Sequence, residues 1–144
     1  MKIFLDTNVY ICFLLSKSQE TAFDLIKKLI LQGKLELFIC KHLIKELETT
    51  VITKKYLSKN ISKTAIEDFI INLKAISTPI PSIKYKDFIG FTRNPKDDYL
   101  IAYSLYANVD YLISLDKDLL VLDKIDCLKI IHSKVFVKIA KGII

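Results

Sequence analysis

The stretch Lys2-Ile3-Phe4-Leu5-Asp6-Thr7-Asn8 decides the fold, because a short apolar run stops there at three polar residues. Such a run predicts a buried strand, and polar residues at its end are typical of the carboxyl edge of a sheet. Asp6 must find hydrogen-bond donors or a cation at that edge, because an unpaired carboxylate beside a buried strand is costly. The stretch therefore predicts one strand of an α/β sheet and one candidate site residue.

Strands and helices alternate along the rest of the chain. Apolar periodicity predicts helices over 9–15, 19–31, 41–54, from 60 or 62 to 73, 98–107 and from 133 onward, and strands over 35–40, 110–114 and 127–131. We expect an edge strand or extended turn at 78–81, a loop with some strand at 83–89 and a helical turn at 116–120. This order predicts an α/β domain with a central, mainly parallel sheet of four to five strands and helices on both faces.

Two helix boundaries carry sequence signals of their own. Gly33 is expected to end the second helix, and Ser133 to cap the last one. The last helix is expected to turn these apolar residues inward: Val135, Phe136, Ile139, Ala140 and Ile143.

Size and composition bound the architecture and the location. The 144 residues suffice for one domain and not for two, so residues 1–144 are expected to form a single domain. Charges interrupt every apolar run before the ~20 residues that a membrane span needs, so no membrane association is expected. The first residues lack the small-residue cleavage site of a signal peptide. Cys12, Cys40 and Cys127 are widely spaced, which favours reduced thiols and the cytoplasm.

Several acidic residues fall where a strand ends or a helix begins. Asp116 follows the strand at 110–114, as Asp6 follows the first strand, and Asp97 and Asp98 open a helix. Strand carboxyl ends and helix amino ends gather at one edge of a parallel sheet, so Asp6, Asp98 and Asp116 are expected to converge. Helix capping or the helix dipole would explain Asp97, Asp98 or Asp116 taken singly, but not Asp6 at the end of a buried strand. Together they would repel one another unless they bound a hard cation.

Glu46 joins this group through helix geometry. It lies at the boundary of the buried stripe of the helix at 41–54, so it can face the same edge, whereas Glu48 lies on another side and is its competitor. A site of carboxylates without His or Cys suits Mg²⁺ or Mn²⁺. The net charge of +6, from 22 lysines and arginines against 16 acids, suits a polyanionic partner as well as simple solubility.

Three segments resemble the motifs of PIN domains. Residues 3–9, Ile-Phe-Leu-Asp-Thr-Asn-Val, resemble the opening motif; residues 98–102 resemble the third acidic motif and residues 111–120 the fourth. Residues 94–98 and 130–136 are similar to bacterial and archaeal PIN proteins that serve as toxin components, with His132-Ser133 where Thr-Pro is usual. The resemblance extends over nearly the whole chain.

The resemblance implies a PIN fold and a hydrolase, a Mg²⁺- or Mn²⁺-dependent endoribonuclease that cuts RNA phosphodiesters with metal-activated water. By position in the motifs, the metal-binding and catalytic acids are Asp6, Glu46, Asp98 and Asp116. Asp97 or Asp118 adds a further ligand, with neither preferred. Asn8 and Ser114 support the acids by hydrogen bonds. The residues expected to contact RNA phosphates are Arg93, Lys96 and Lys117.

Other functions remain open at this stage. A toxin of this kind is held inactive by a small antitoxin, and RNA processing or decay would use the same chemistry. A non-catalytic RNA- or protein-binding module is the main alternative. A phosphatase would need an aspartate at Asn8, and a dinucleotide-binding fold would need a glycine-rich turn that three glycines do not provide. The high apolar content allows a homodimer.

Overall fold

The computed structural model describes residues 1–16, 21–84 and 95–143. The chain forms, in order, β1 (Lys2–Leu5), α1 (Thr7–Leu15), α2 (Ala22–Leu31), β2 (Glu36–Ile39), α3 (Lys41–Thr53), α4 (Lys55–Asn60), α5 (Lys63–Ile76), β3 (Thr78–Pro79), a 3-10 turn (Pro95–Asp97), α6 (Asp98–Tyr106), β4 (Tyr111–Ser114), α7 (Lys117–Leu120), β5 (Lys124–Ile125), β6 (Leu128–His132) and α8 (Ser133–Ile143).

The strands of the described residues form one sheet in the order β3-β2-β1-β4-β6-β5. β1 is parallel to both β2 and β4, β6 is parallel to β4, and β5 alone runs antiparallel beside β6. Four strands have four or five residues, and β3 and β5 add two residues each at the edges. With helices packed around this sheet, the predicted α/β class is confirmed.

The centre of the sheet is the centre of the core. Ile3, Phe4 and Leu5 of β1 are fully buried, as expected for a parallel strand covered on both faces. Helix α6 packs on β1 and β4 and is buried on all sides from Asp98 to Ser104. An interior helix therefore begins with a carboxylate, close to where the central strands end. In the described part of the chain, no helix is long and apolar enough to cross a membrane.

Local signals explain most element boundaries. Gly33 follows α2 with a φ of 71°, a left-handed conformation that favours glycine, so its predicted role as a helix stop is confirmed. Ser62, rather than Asn60, opens α5, because its hydroxyl accepts a hydrogen bond from the amide of Ala65 at 3.0 Å. The edge strand predicted at 78–81 is present as β3.

Some predictions of local structure were wrong or incomplete. Val135 is 46% exposed rather than inward, because α8 buries only a narrow stripe around Phe136 and Ala140. Ser133 is the first residue of α8 and not its cap; the Nδ1 atom of His132 accepts the amide hydrogen bond of Lys134 at 3.1 Å instead. Helix α4 and the β5 strand were not predicted. Of the loop expected at 83–89, residues 85–89 lie outside the described residues.

Candidate active site

The site lies where β1 and β4 end side by side. These strands are parallel, so Asp6 and Asp116, which follow them, meet at the same edge of the sheet. The amide of Asp6 donates to the carbonyl of Ile113 at 2.9 Å, which continues the strand pairing to the aspartate itself. Backbone pairing thus fixes the position of Asp6 independently of its side-chain contacts.

Ser114 connects the two aspartates. Its hydroxyl donates to Oδ2 of Asp6 at 2.7 Å and accepts a hydrogen bond from the amide of Asp116 at 3.0 Å. Ser114 itself is fully buried. One side chain therefore holds the carboxylate of β1 and the backbone that follows β4 in a single arrangement.

The environment of Asp6 disfavours its charge. Asp6 is 5% exposed, and burial raises the pKa of its carboxyl to about 6. The negative charges of Glu46 and Asp116 raise the pKa further, while hydrogen bonds from Ser114 and from the backbone of Thr7 lower it. A buried carboxylate that faces other carboxylates is a strong attractor for a cation.

Asp97 belongs to the same group of acids. Burial raises the pKa of its carboxyl to about 7, with further contributions from Asp6, Asp116, Glu46 and a hydrogen bond to Asp116. Asp97 precedes α6 but its side chain makes no capping hydrogen bond to that helix. Its carboxyl therefore interacts with the other acids instead of capping α6.

Glu46 lies on α3, partly buried, on the side of that helix that faces the acids. The hydroxyl of Tyr99 donates to its Oε2, and the imidazole of His42 stacks on the ring of Tyr99 with centroids 3.9 Å apart. Glu48 is exposed and lines a separate groove with Lys41 and Lys45. Of the two competing glutamates, Glu46 is therefore the one near Asp6.

Tyr99 and His42 were not identified as site residues from the sequence. Tyr99 stood within the segment at 98–102, and His42 precedes Glu46 by four residues, a spacing that puts both on one face of α3. That spacing was the only available signal, and it is a weak one, because it does not reveal that Tyr99 from a distant helix lies between them.

The remaining predicted residues occupy varied positions. Asp98 begins α6 and is 1% exposed. The amide of Asp118 donates to Oδ1 of Asp116 at 2.9 Å. Asn8 is exposed on α1, and in residues 1–16, 21–84 and 95–143 it makes no hydrogen bond to any of the acids. The two lysines expected at RNA phosphates, Lys96 and Lys117, are both exposed, whereas Arg93 lies outside the described residues.

The chemical type of these acidic groups suits a hard divalent cation. Four carboxylates interact at this edge, and carboxylate oxygens match the preference of Mg²⁺ and Mn²⁺. Within the described ranges, however, no three acidic, histidine or cysteine side chains lie close enough to ligate one ion together. The carboxylates of Asp6, Glu46, Asp97 and Asp116 nevertheless lie near enough to interact electrostatically.

The chain belongs to the PIN domain family, whose model matches residues 2–118. Two solved structures share the fold. VapBC2 from Rickettsia felis, solved bound to a DNA fragment from its promoter, has 17% identity and a TM-score of 0.62, and the match covers 92% of this chain and 98% of that one. PAE2754 from Pyrobaculum aerophilum has 11% identity and a TM-score of 0.65, covering 99% and 96%. None of the curated protein sequences matches the chain.

Proposed function

We propose that this protein is a divalent-metal-dependent endoribonuclease that acts as the toxin of a toxin–antitoxin pair. PIN domains are generally nucleases, and the chain belongs to that family. The observation that carries the proposal is the group of electrostatically coupled carboxylates, Asp6, Glu46, Asp97 and Asp116, at one end of the central strands.

The proposed ligands of Mg²⁺ or Mn²⁺ are Asp6, Glu46, Asp98 and Asp116. A bound divalent cation supplies an activated water and offsets the charge that develops on a phosphate. Asp97 is favoured over Asp118 as a further ligand, because its carboxyl hydrogen-bonds Asp116 and is near both Asp6 and Glu46. Ser114 fixes the rotamer of Asp6 from outside the ligand set.

RNA is the proposed substrate, and a basic surface is its proposed attractor. The net charge of +6 draws a polyanion without selecting its sequence. Lys96 lies next to Asp97, and Lys117 next to Asp116, so both exposed lysines are placed to contact phosphates that flank the acids. Arg93 remains a third proposed contact on the basis of the sequence.

A small antitoxin is the proposed partner, and the cytoplasm the proposed location. The support is the likeness of residues 94–98 and 130–136 to toxin components and the fold shared with VapBC2. A homodimer is proposed from the apolar content alone.

The test is RNA cleavage by the purified protein with Mg²⁺, with Mn²⁺ and with EDTA. Asp6→Asn keeps the shape of the side chain and removes its charge, and Asp68→Asn, at an exposed position of α5, is the matched control. We expect metal-dependent cleavage by the wild type and by Asp68→Asn, and loss of cleavage in Asp6→Asn. Equal activity in Asp6→Asn would mean that the acids are not the site, whereas RNA binding without cleavage by the wild type would favour the non-catalytic module.

A further inference from the structure

We propose that Tyr99 is a positioning residue of the acid site, which restrains the side chain of Glu46 beside the other carboxylates. The inference rests on the proposed function, because it assigns a role towards the same carboxylates.

The contact between the two residues joins separate elements. Tyr99 is fully buried in the first turn of α6, and Glu46 is partly buried on α3. The hydroxyl of Tyr99 donates to Oε2 of Glu46, across 53 positions of the chain. A hydrogen bond to one carboxylate oxygen restricts the rotation of the side chain and leaves the other oxygen, Oε1, available as an acceptor.

The ring of Tyr99 has little freedom to move. It is enclosed in the core, and the imidazole of His42 stacks on it at 3.9 Å between centroids, with an angle of 30° between the ring planes. The donor is therefore held rigidly, while the acceptor is a flexible glutamate. A rigid donor that meets a flexible carboxylate is the arrangement expected of a residue that orients a ligand.

Glu46 needs such support more than the aspartates do. Asp6 and Asp116 follow paired strands, and Ser114 holds both of them through hydrogen bonds of 2.7 and 3.0 Å. Glu46 lies on a helix, and its side chain has one more rotatable bond than that of an aspartate. Without Tyr99, the charge repulsion from Asp6 and Asp97 would favour rotamers that turn Glu46 away from them.

The deciding experiment measures Mn²⁺ binding to the full chain by calorimetry, together with RNA cleavage as a function of Mn²⁺ concentration. Tyr99→Phe removes one hydroxyl and keeps the ring against His42. We expect its dissociation constant for Mn²⁺ to rise by about 10- to 100-fold. Cleavage should recover at saturating Mn²⁺, and the KM for RNA should stay unchanged, which a general loss of folding would not produce.

Two further variants separate positioning from a structural role. Tyr103→Phe, one turn further along α6, removes a buried hydroxyl that accepts a hydrogen bond from the amide of Ile83 at 3.3 Å, and should leave Mn²⁺ affinity unchanged. In a Glu46→Gln background, Tyr99→Phe should change the Mn²⁺ affinity by less than about 2-fold, because the group that it positions is already lost.

Each outcome bears on one proposal or the other. Unchanged Mn²⁺ affinity in Tyr99→Phe, with active wild type, overturns the role of Tyr99 and leaves the nuclease intact. Full additivity of Tyr99→Phe and Glu46→Gln also overturns it. Mn²⁺ binding that weakens in Tyr99→Phe supports the positioning role even if the wild type fails to cut RNA, which would count against the nuclease alone. A wild type that binds no Mn²⁺ overturns both.

Discussion

The hydroxyl of Ser114 lies 2.7 Å from Oδ2 of Asp6, so residues 108 positions apart share one buried hydrogen bond. Because the same hydroxyl also accepts a hydrogen bond from the amide of Asp116, it links the ends of the two central strands. The stability of the fold and the geometry of the acids therefore depend on the same side chain.

Ser114→Ala should destabilise the protein. The change removes a hydrogen bond to a buried carboxylate, which contributes about 2 kcal/mol to the free energy of unfolding. Urea denaturation at neutral pH measures the difference. Ser104→Ala is the control, since Ser104 is equally buried but its hydroxyl has no partner in the described part of the chain. Equal losses in both variants would mean that the hydrogen bond to Asp6 contributes nothing.

The stability of the metal-free protein should fall as the pH rises. Burial raises the pKa of Asp6 to about 6 and that of Asp97 to about 7, above the 3.8 of an ordinary aspartate. Because the pKa of each carboxyl is higher in the folded state, the folded state binds the proton more tightly than the unfolded state. The contribution of these groups to stability is therefore complete below the pKa of the unfolded state, and it is lost as the pH rises through the pKa of the folded state. We expect Tm in EDTA to decline from about pH 5 to about pH 8.

Asp6→Asn provides the comparison for that pH dependence. The amide cannot ionise, so the decline in Tm over the same range should be smaller, while titration of His42 and of other groups is common to both proteins. Addition of Mg²⁺ at about pH 8 should raise Tm in the wild type and not in Asp6→Asn. If Tm fell equally with pH in the two proteins, ionisation of Asp6 would not lower the stability of the folded state.

Tyr10→Phe should stabilise the protein. Tyr10 is fully buried, and its hydroxyl has no hydrogen-bond partner among the described residues. Removal of an unsatisfied buried hydroxyl raises the free energy of unfolding by about 1 kcal/mol. Denaturant titration tests this, with Tyr103→Phe as the contrasting change, because Tyr103 accepts a hydrogen bond from Ile83. A loss of stability in Tyr10→Phe would reveal a partner for its hydroxyl.

The three thiols should differ in reactivity. Cys12 and Cys127 are exposed, whereas Cys40 is 2% exposed and burial raises the pKa of its thiol to about 11. Since the thiolate is the nucleophile, iodoacetamide should modify Cys12 and Cys127 in the native protein and Cys40 only after unfolding. Mass spectrometry of digested protein counts the modified sites. Rapid native modification of Cys40 would mean that the start of α3 opens easily.

The sequence predicted the framework of the fold because its signals are local. The apolar runs of β1 and β4, the glycine after α2 and the polar residues that follow the strands each lie within a few positions of one another. Parallel pairing then places Asp6 and Asp116 together by a general rule of sheets. The prediction of a shared edge needed no knowledge of side-chain packing.

What the sequence could not supply depends on distant contacts. The choice of Asp97 as the acid that hydrogen-bonds Asp116 is decided by how the 3-10 turn meets the sheet. The role of Tyr99 could not be predicted either, because its helix is buried on all sides and shows no alternation of polar and apolar faces. Val135 was misplaced because apolar periodicity does not reveal how wide a stripe of α8 the sheet can cover.

The central position of β1 also affects how the chain is made. β1 leaves the ribosome before its neighbour β4, and the serine that holds Asp6 follows that aspartate by 108 residues. A nascent chain interrupted before residue 114 therefore lacks both Ser114 and Asp116, and cannot hold the set of acids together. Under the proposed function, an incomplete translation product would be harmless to the messenger RNA that encodes it.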